Sequence, residues 1–263
     1  MIQVTDQLGR VITLERTPKR IISLVPSQTE LLIHLGLEEQ LIGITKFCVH
    51  PKHLLKTKTS VGGTKQVHFD RIRALNPDII LCNKEENTQA IVEETQAIAP
   101  VHVSDVKTLP HAFTLIQQYG ILFDKPKIAS ELVNQLLFAQ QQFQKEITKQ
   151  SIKKVAYFIW REPWMVVGKD TFINSLLALN KLDNVYNDTP DRYPEVQLDT
   201  LRNLDYVLLS SEPFPFTEKH IAEIKKHTTA QVILVDGEYF SWYGSRLLDA
   251  FDYFKNLQQL LET

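Results

Sequence analysis

Residues 125–150 read KPKIASELVNQLLFAQQQFQKEITKQ, and this stretch decides the fold. Pro126 suits a first helical turn, where its missing N–H goes unused. After it, Ile128, Leu132, Leu136, Phe143 and Ile147 recur near helical spacing, with no glycine and no further proline between them. About 24 residues of α-helix would reach roughly 36 Å. A glycine- and serine-rich linker would flex, whereas a helix of this length acts as a strut. The stretch therefore predicts two α/β lobes, residues 1–124 and 151–263, joined by one long rigid helix over 125–150.

On both sides of the strut, strand and helix patterns alternate. Before it come a hairpin over 2–15 with Gly9 in its turn, strands over 21–25, 41–45, 78–82 and 101–103, and helices over 27–35, 88–98 and 109–119. Ser27 and Glu30 have capping-box spacing, and Gly36 is placed to end the first helix. After the strut come strands over 154–160, 165–167, 206–210 and 232–235, a helix over 171–179 and a closing helix over 245–261. Such alternation implies a mostly parallel, Rossmann-like sheet in each lobe, covered on both faces. A weak internal echo supports two related halves: FDRIRAL at 69–75 and LDTLRNL at 198–204 each lead into an aspartate and an apolar strand.

Composition narrows the function classes. The chain has 263 residues, 43% hydrophobic and 23% charged, with net charge −2, so no basic block points to a nucleic-acid or membrane-surface partner. No apolar run approaches the ~20 residues of a membrane span. Residues 1–10 read as folded protein rather than a signal peptide, so either a leader was removed or the protein stays in the cytoplasm. Cys48 and Cys82 allow at most one disulfide. There is no glycine-rich phosphate loop, nucleophile elbow, HExxH pair or CxxC pair, and no residue is assigned a catalytic role.

Aromatic residues give the more useful signal. Trp160, Trp164 and Trp242 all follow the strut, with Arg161 and Arg246 near them in sequence. Trp160 ends an apolar strand and reads as core. Residues 239–243, YFSWY, follow a strand and precede a helix, which places Trp242 and Tyr243 at the carboxyl edge of the second lobe's sheet, where ligands bind. With Arg246 they suit a large planar or amphipathic ligand. Cys48, His50 and His53 could hold soft metals, which keeps a bare zinc or manganese receptor as an alternative. On residue type alone, Asp70 and Asp199 read as helix N-caps.

Several motifs resemble one family. Val4-Thr5-Asp6, Leu8-Gly9-Arg10, the run from Pro18 to Ser27, Thr29-Glu30, Gly62-Gly63-Thr64, Leu75-Asn76-Pro77-Asp78-Ile79-Ile80 and Trp242-Tyr243-Gly244-Ser245-Arg246 are similar to ABC-importer substrate-binding proteins of the helical-backbone class, the class III periplasmic binding proteins. The similarity runs through the whole chain and is strongest to the cobalamin-binding branch. It implies capture of a bulky metal chelate between two lobes, a cobalamin or other corrinoid first, a ferric siderophore or haem next. Delivery to a membrane permease with its ATPase follows, without catalysis or a cofactor of the protein's own. It further implies a monomer in the periplasm or cell envelope. Phe47, His50, Thr64 and Tyr193 match ligand positions of the family, Thr64 and Tyr193 where the cobalamin binder has tryptophans. Asp70 and Asp199 match the acidic residues, usually glutamate, that dock onto permease arginines. An intracellular enzyme or ligand sensor on the same scaffold is the alternative of a different class.

Overall fold

A computed structural model describes residues 1–262, which divide into two compact units. The first comprises Met1–Val106, Pro110–Leu137 and Trp242–Leu247; the second comprises Lys107–Leu109, Phe138–Ser241 and the chain from Leu248 onward. The segment Trp242–Leu247, expected in the second lobe, thus groups with the first.

The first unit opens with an antiparallel hairpin of β1 (Ile2–Thr5) and β2 (Val11–Leu14), with Ile2 opposite Leu14. Its main sheet holds β3 (Ile21–Ser23), β4 (Leu41–Ile44), β5 (Thr59–Ser60), β6 (Ile79–Asn83) and β7 (Val101–Ser104), all parallel in the order β5-β4-β3-β6-β7. Helices α1 (Pro26–His34), α2 (Leu54–Thr57), α3 (Phe69–Ala74), α4 (Gln89–Gln96) and α5 (Leu109–Leu122) connect and cover it. Every residue of β6 and β7 is buried, as parallel strands clad on both faces must be. Ile22, Ile80, Val101 and Val103 share one apolar cluster, and full burial of each such side chain contributes about 1.5–3 kcal/mol. Strand order reverses between β3 and β6, and in open α/β sheets ligands bind outside the carboxyl ends of the strands at such a reversal.

The predicted strut is α6 (Pro126–Glu146), 21 residues followed by a 3-10 turn over Ile147–Lys149. Tightening of a last turn is common, and it shortens the α-helical part to about 32 Å. Residues through Leu137 belong to the first unit, where Ala129, Leu132, Val133 and Leu136 are buried. From Phe138 onward the helix belongs to the second.

The second unit adds β8 (Lys153–Trp160), β9 (Met165–Val166), α7 (Phe172–Leu179), β10 (Leu182–Asn184), β11 (Tyr206–Ser210), α8 (Glu218–Ile224), β12 (Gln231–Val235), α9 (Gly237–Ser241) and α10 (Leu247–Leu261). Its parallel order is β10-β8-β11-β12, with β9 antiparallel on β8, so the order reverses between β8 and β11. Phe143 of α6 packs on Phe251 and Phe254 of α10, with ring centroids 6.1 and 6.0 Å away. Both units are therefore Rossmann-like α/β layers.

The sequence echo has a structural cause. The Asp78 carboxylate accepts hydrogen bonds from the backbone N–H groups of Lys19 and Arg20 at 2.8 and 3.0 Å, just before β3. In the second unit the Asp205 carboxylate accepts from Lys154 N–H at 2.7 Å, at the start of β8. Each aspartate ties the entry of its own strand to that of the neighbouring first strand.

Candidate functional site

The carboxyl edge of the first sheet gathers most of the expected ligand positions. Beyond β4, Phe47 is 49% exposed, a large apolar ring left in solvent, with the Lys46 ammonium 5.1 Å from its centroid. Beyond β5, Gly62 takes φ +120°, where any Cβ would lie 2.6 Å from the Gln66 carbonyl oxygen; only glycine suits this turn. Gly63 lies against Phe47, since a Cβ there would sit 3.2 Å from the ring. Thr64 follows, nearly buried, and its carbonyl accepts from Asn87 Nδ2 at 2.9 Å. This bond stitches the loop after β5 to the loop after β6.

The segment Trp242–Leu247 completes this edge. The Trp242 ring meets the half-buried His50 edge-on, with centroids 5.5 Å apart, and the Arg246 guanidinium lies 5.0 Å from the Trp242 ring. Tyr243 is buried. Its hydroxyl lies 3.1 Å from Gln28 Nε2 and 3.2 Å from Ser104 Oγ, while Gln28 Oε1 accepts from Tyr119 at 2.6 Å. Burial pushes the Tyr243 phenol far above its ordinary range, although the bonds to Ser104 and Gln28 oppose the rise. Gly244, at φ +103°, passes over Leu31 of α1. Trp242 and Tyr243 therefore stand at the carboxyl edge of the first sheet, not the second as the loop-after-strand argument expected. The Tyr243 hydroxyl faces internal partners in this network.

Glu30 corrects a second expectation. It forms no capping box: the N-cap of α1 is Val25, in extended backbone, with no side-chain cap and Pro26 in the first turn. The Glu30 carboxylate pairs instead with Arg246, at 3.0 and 2.6 Å. A bidentate charged pair is stronger than a single capping bond.

The three candidate metal ligands turn to separate partners. Cys48 lies between the hydroxyls of Thr29 and Thr45, at 3.1 and 3.3 Å, and burial raises its thiol. His53 pairs with Glu38 at 2.7 Å, and His50 faces Trp242. Among the described residues no group of three or more histidine, cysteine or acidic side chains is arranged to hold a metal ion. Both cysteines are free and buried.

In the second unit, half-buried Tyr193 lies on a segment that runs beside β9, where Gly168 N–H donates to Arg192 O at 2.7 Å and Val166 N–H to Pro194 O at 3.1 Å. The carboxyl edge at the β8–β11 reversal carries an aromatic group the sequence reading missed. Trp160, expected in the core, is 40% exposed and meets Phe214 edge-on at 5.8 Å. Phe214 continues to Phe216 at 4.8 Å, and Phe216 stacks on Trp164 at 6.0 Å. β8 pairs with β11 only as far as Phe158, so its last residue projects beyond its neighbour.

Neither acidic candidate is a cap. Asp70 lies in the first turn of α3, behind the N-cap His68, and pairs with Arg73 at 2.9 Å while fully exposed. Asp199 lies in a one-turn 3-10 helix behind the N-cap Gln197 and is also exposed. Among the described residues no helix is long and apolar enough to cross a membrane.

Comparison with known proteins agrees with this architecture. Residues 21–233 match the periplasmic binding protein family. The chain belongs to that family. It is 28% identical over 195 residues to an ABC transporter substrate-binding lipoprotein of Bacillus subtilis, covering 71% of this chain and 62% of the lipoprotein's length. It is 27% identical over 247 residues to the vitamin B12-binding protein of Pectobacterium carotovorum, covering 88% of this chain and 85% of that protein. The fold superposes on the periplasmic vitamin B12 binding protein of Vibrio cholerae with a TM-score of 0.79 at 18% identity, over 94% of this chain and 99% of the other.

Proposed function

We propose that this chain is the solute-binding component of an ABC importer, taking up a bulky metal chelate and passing it to a membrane permease with its ATPase. The observation that carries the reading is the switch-point edge of the first sheet. There an exposed Phe47 presents its ring beside the half-buried His50 and the polar Thr64, with the buried Trp242 ring against His50. Concave sites for large amphipathic ligands combine these features: much apolar surface, with sparse polar groups that set orientation. Among metal chelates, a cobalamin or related corrinoid is favoured, because the Pectobacterium relative carries that ligand's name over most of this chain. A ferric siderophore or haem comes next. Tyr193, by its match to a ligand position of the family, is assigned to ligand contact, and Asp70 and Asp199 are the permease-docking acids. The protein acts as a monomer in the periplasm or cell envelope, without catalysis and without a resident cofactor. Calorimetric titration with cyanocobalamin, haemin and ferrichrome tests the reading. One equivalent of cyanocobalamin is expected to bind, and silence from all three compounds would overturn the proposal.

A further inference from the structure

Glu86 stands on the same edge, in the loop between β6 and α4, and no role above uses it. Its position is fixed from several sides. Its N–H and that of Glu85 donate to Asn83 Oδ1, at 3.1 and 2.8 Å. Asn87 reaches from this loop to the Thr64 carbonyl, and the Lys65 ammonium donates to the carbonyl of Glu85. The Glu86 carboxyl itself is half-buried and shares a hydrogen bond with the Thr64 side chain. No ion pair among the described residues includes it.

A half-buried carboxyl outside any direct ion pair, favoured in its charged form only by the Lys65 ammonium that bonds the Glu85 carbonyl, is costly to the fold, and such groups concentrate at binding sites. One bond to Thr64 leaves most of its acceptor capacity unused, since a carboxylate offers about four lone-pair positions. Resting on the importer reading above, we propose that Glu86, beside Thr64, is the specificity group of this edge: it accepts hydrogen bonds from amide groups on the ligand's periphery and turns away peripheral carboxylates. A corrin ring carries amides around its rim, whereas haem carries carboxylates, so the two ligand classes meet this residue in opposite ways. Discrimination of this kind comes from the repulsive element as much as from the attractive one.

The charge state of Glu86 sets the strength of the filter. Burial raises its carboxyl above the ordinary glutamate range; Glu85 adds to the rise, while Lys65 and the Thr64 bond oppose it. Cys48 and Tyr243 also face it and sense its charge. Ionised, Glu86 repels a carboxylate; protonated, it can donate to one. Preference for the amide-bearing ligand therefore grows as pH rises through its titration.

The test measures dissociation constants of cyanocobalamin and haemin for the wild type and Glu86→Gln across a pH series that starts in the ordinary glutamate range and runs to the alkaline side of neutrality. Glutamine keeps the shape and is always neutral. At the alkaline end of the series the variant is expected to tighten haemin roughly tenfold and to weaken cyanocobalamin by about threefold or more, since a neutral amide oxygen accepts less strongly than a carboxylate. The wild type's ratio is expected to move with pH and the variant's to stay flat. Unfolding midpoints establish that both proteins are folded. Cyanocobalamin binding with an unchanged ratio overturns this inference alone, as does a wild type that prefers haemin at every pH of the series. Binding of neither probe, nor of ferrichrome, overturns the importer reading and this inference with it.

Discussion

Arg246 closes on Glu30 through two hydrogen bonds, Nη2 to Oε1 at 2.6 Å and Nε to Oε2 at 3.0 Å. The side chains retain only 11% and 22% of their exposure, so solvent screens this pair less than a surface one. Arg246→Ala leaves the Glu30 carboxylate without its cation and removes the guanidinium from Trp242. A loss of about 1–3 kcal/mol is expected. Glu30→Ala should cost a similar amount, and the double variant less than the sum of the two. Arg246→Lys should recover only part, because an ammonium cannot form the two parallel bonds. Urea unfolding of the four variants measures this, and strictly additive losses would refute the coupling.

Gln28 and Tyr243 share one buried network but should differ in consequence. Removing the Tyr243 hydroxyl leaves Gln28 Nε2 bonded to Ser104 Oγ at 2.6 Å, so few groups lose all partners. Tyr243→Phe is expected to lower stability by about 0.5–1.5 kcal/mol. Gln28→Ala strips Tyr119 and Tyr243 of a common partner and opens a cavity, and should cost about 2–4 kcal/mol. Reversal of that order in denaturant midpoints would mean the network is not centred on Gln28.

These two relationships also mark the limit of what the sequence could reveal. The strut was legible because the period of Leu132, Leu136 and Phe143 is a local property. The buried strands Ile79–Asn83 and Tyr206–Ser210 were legible for the same reason. Edge strands Thr59–Ser60 and Leu182–Asn184 were not, since two or three residues carry no period. Gln28 and Tyr243 lie 215 positions apart, and Glu30 and Arg246 lie 216 apart. No local pattern signals such pairs, which is why Trp242 was expected at the wrong sheet and Glu30 in a cap. The exposure of Trp160 was hidden for a related reason: it depends on where the partner strand stops.

Cys82 should leave a mark at alkaline pH. It lies fully buried in β6, and burial pushes its thiol up to about 12, against smaller opposing effects from Arg10 and Thr95. In the unfolded chain the thiol ionises near its ordinary value, so between about pH 9 and 12 the unfolded state holds fewer protons than the folded one. Stability contributed by the neutral thiol is therefore complete below the unfolded value and falls as pH rises through that window. Urea midpoints measured across about pH 8–11 should decline more steeply for the wild type than for Cys82→Ala. Both cysteines should also resist a thiol reagent until the protein unfolds. Parallel declines, or rapid labelling of the native protein, would contradict this account.

Asp70 and Asp199 present the complementary case of charge without burial. Asp70 is fully exposed, and its contact with Arg73 spans a single helical turn, so the pair adds little to folding. Asp199 lies within its short 3-10 turn, also in solvent. One such acid on each unit suits attachment to basic groups of a membrane partner, as the proposed function requires. Charged rims of this kind chiefly set association rates and their salt dependence. Asp70→Arg with Asp199→Arg should therefore leave unfolding midpoints and cyanocobalamin affinity unchanged. Association with permease-containing proteoliposomes should slow at least about tenfold at low salt, with the gap closing as salt rises. Each single reversal should give an intermediate rate. If the double variant associates as fast as the wild type at low salt, the docking surface lies elsewhere on the molecule.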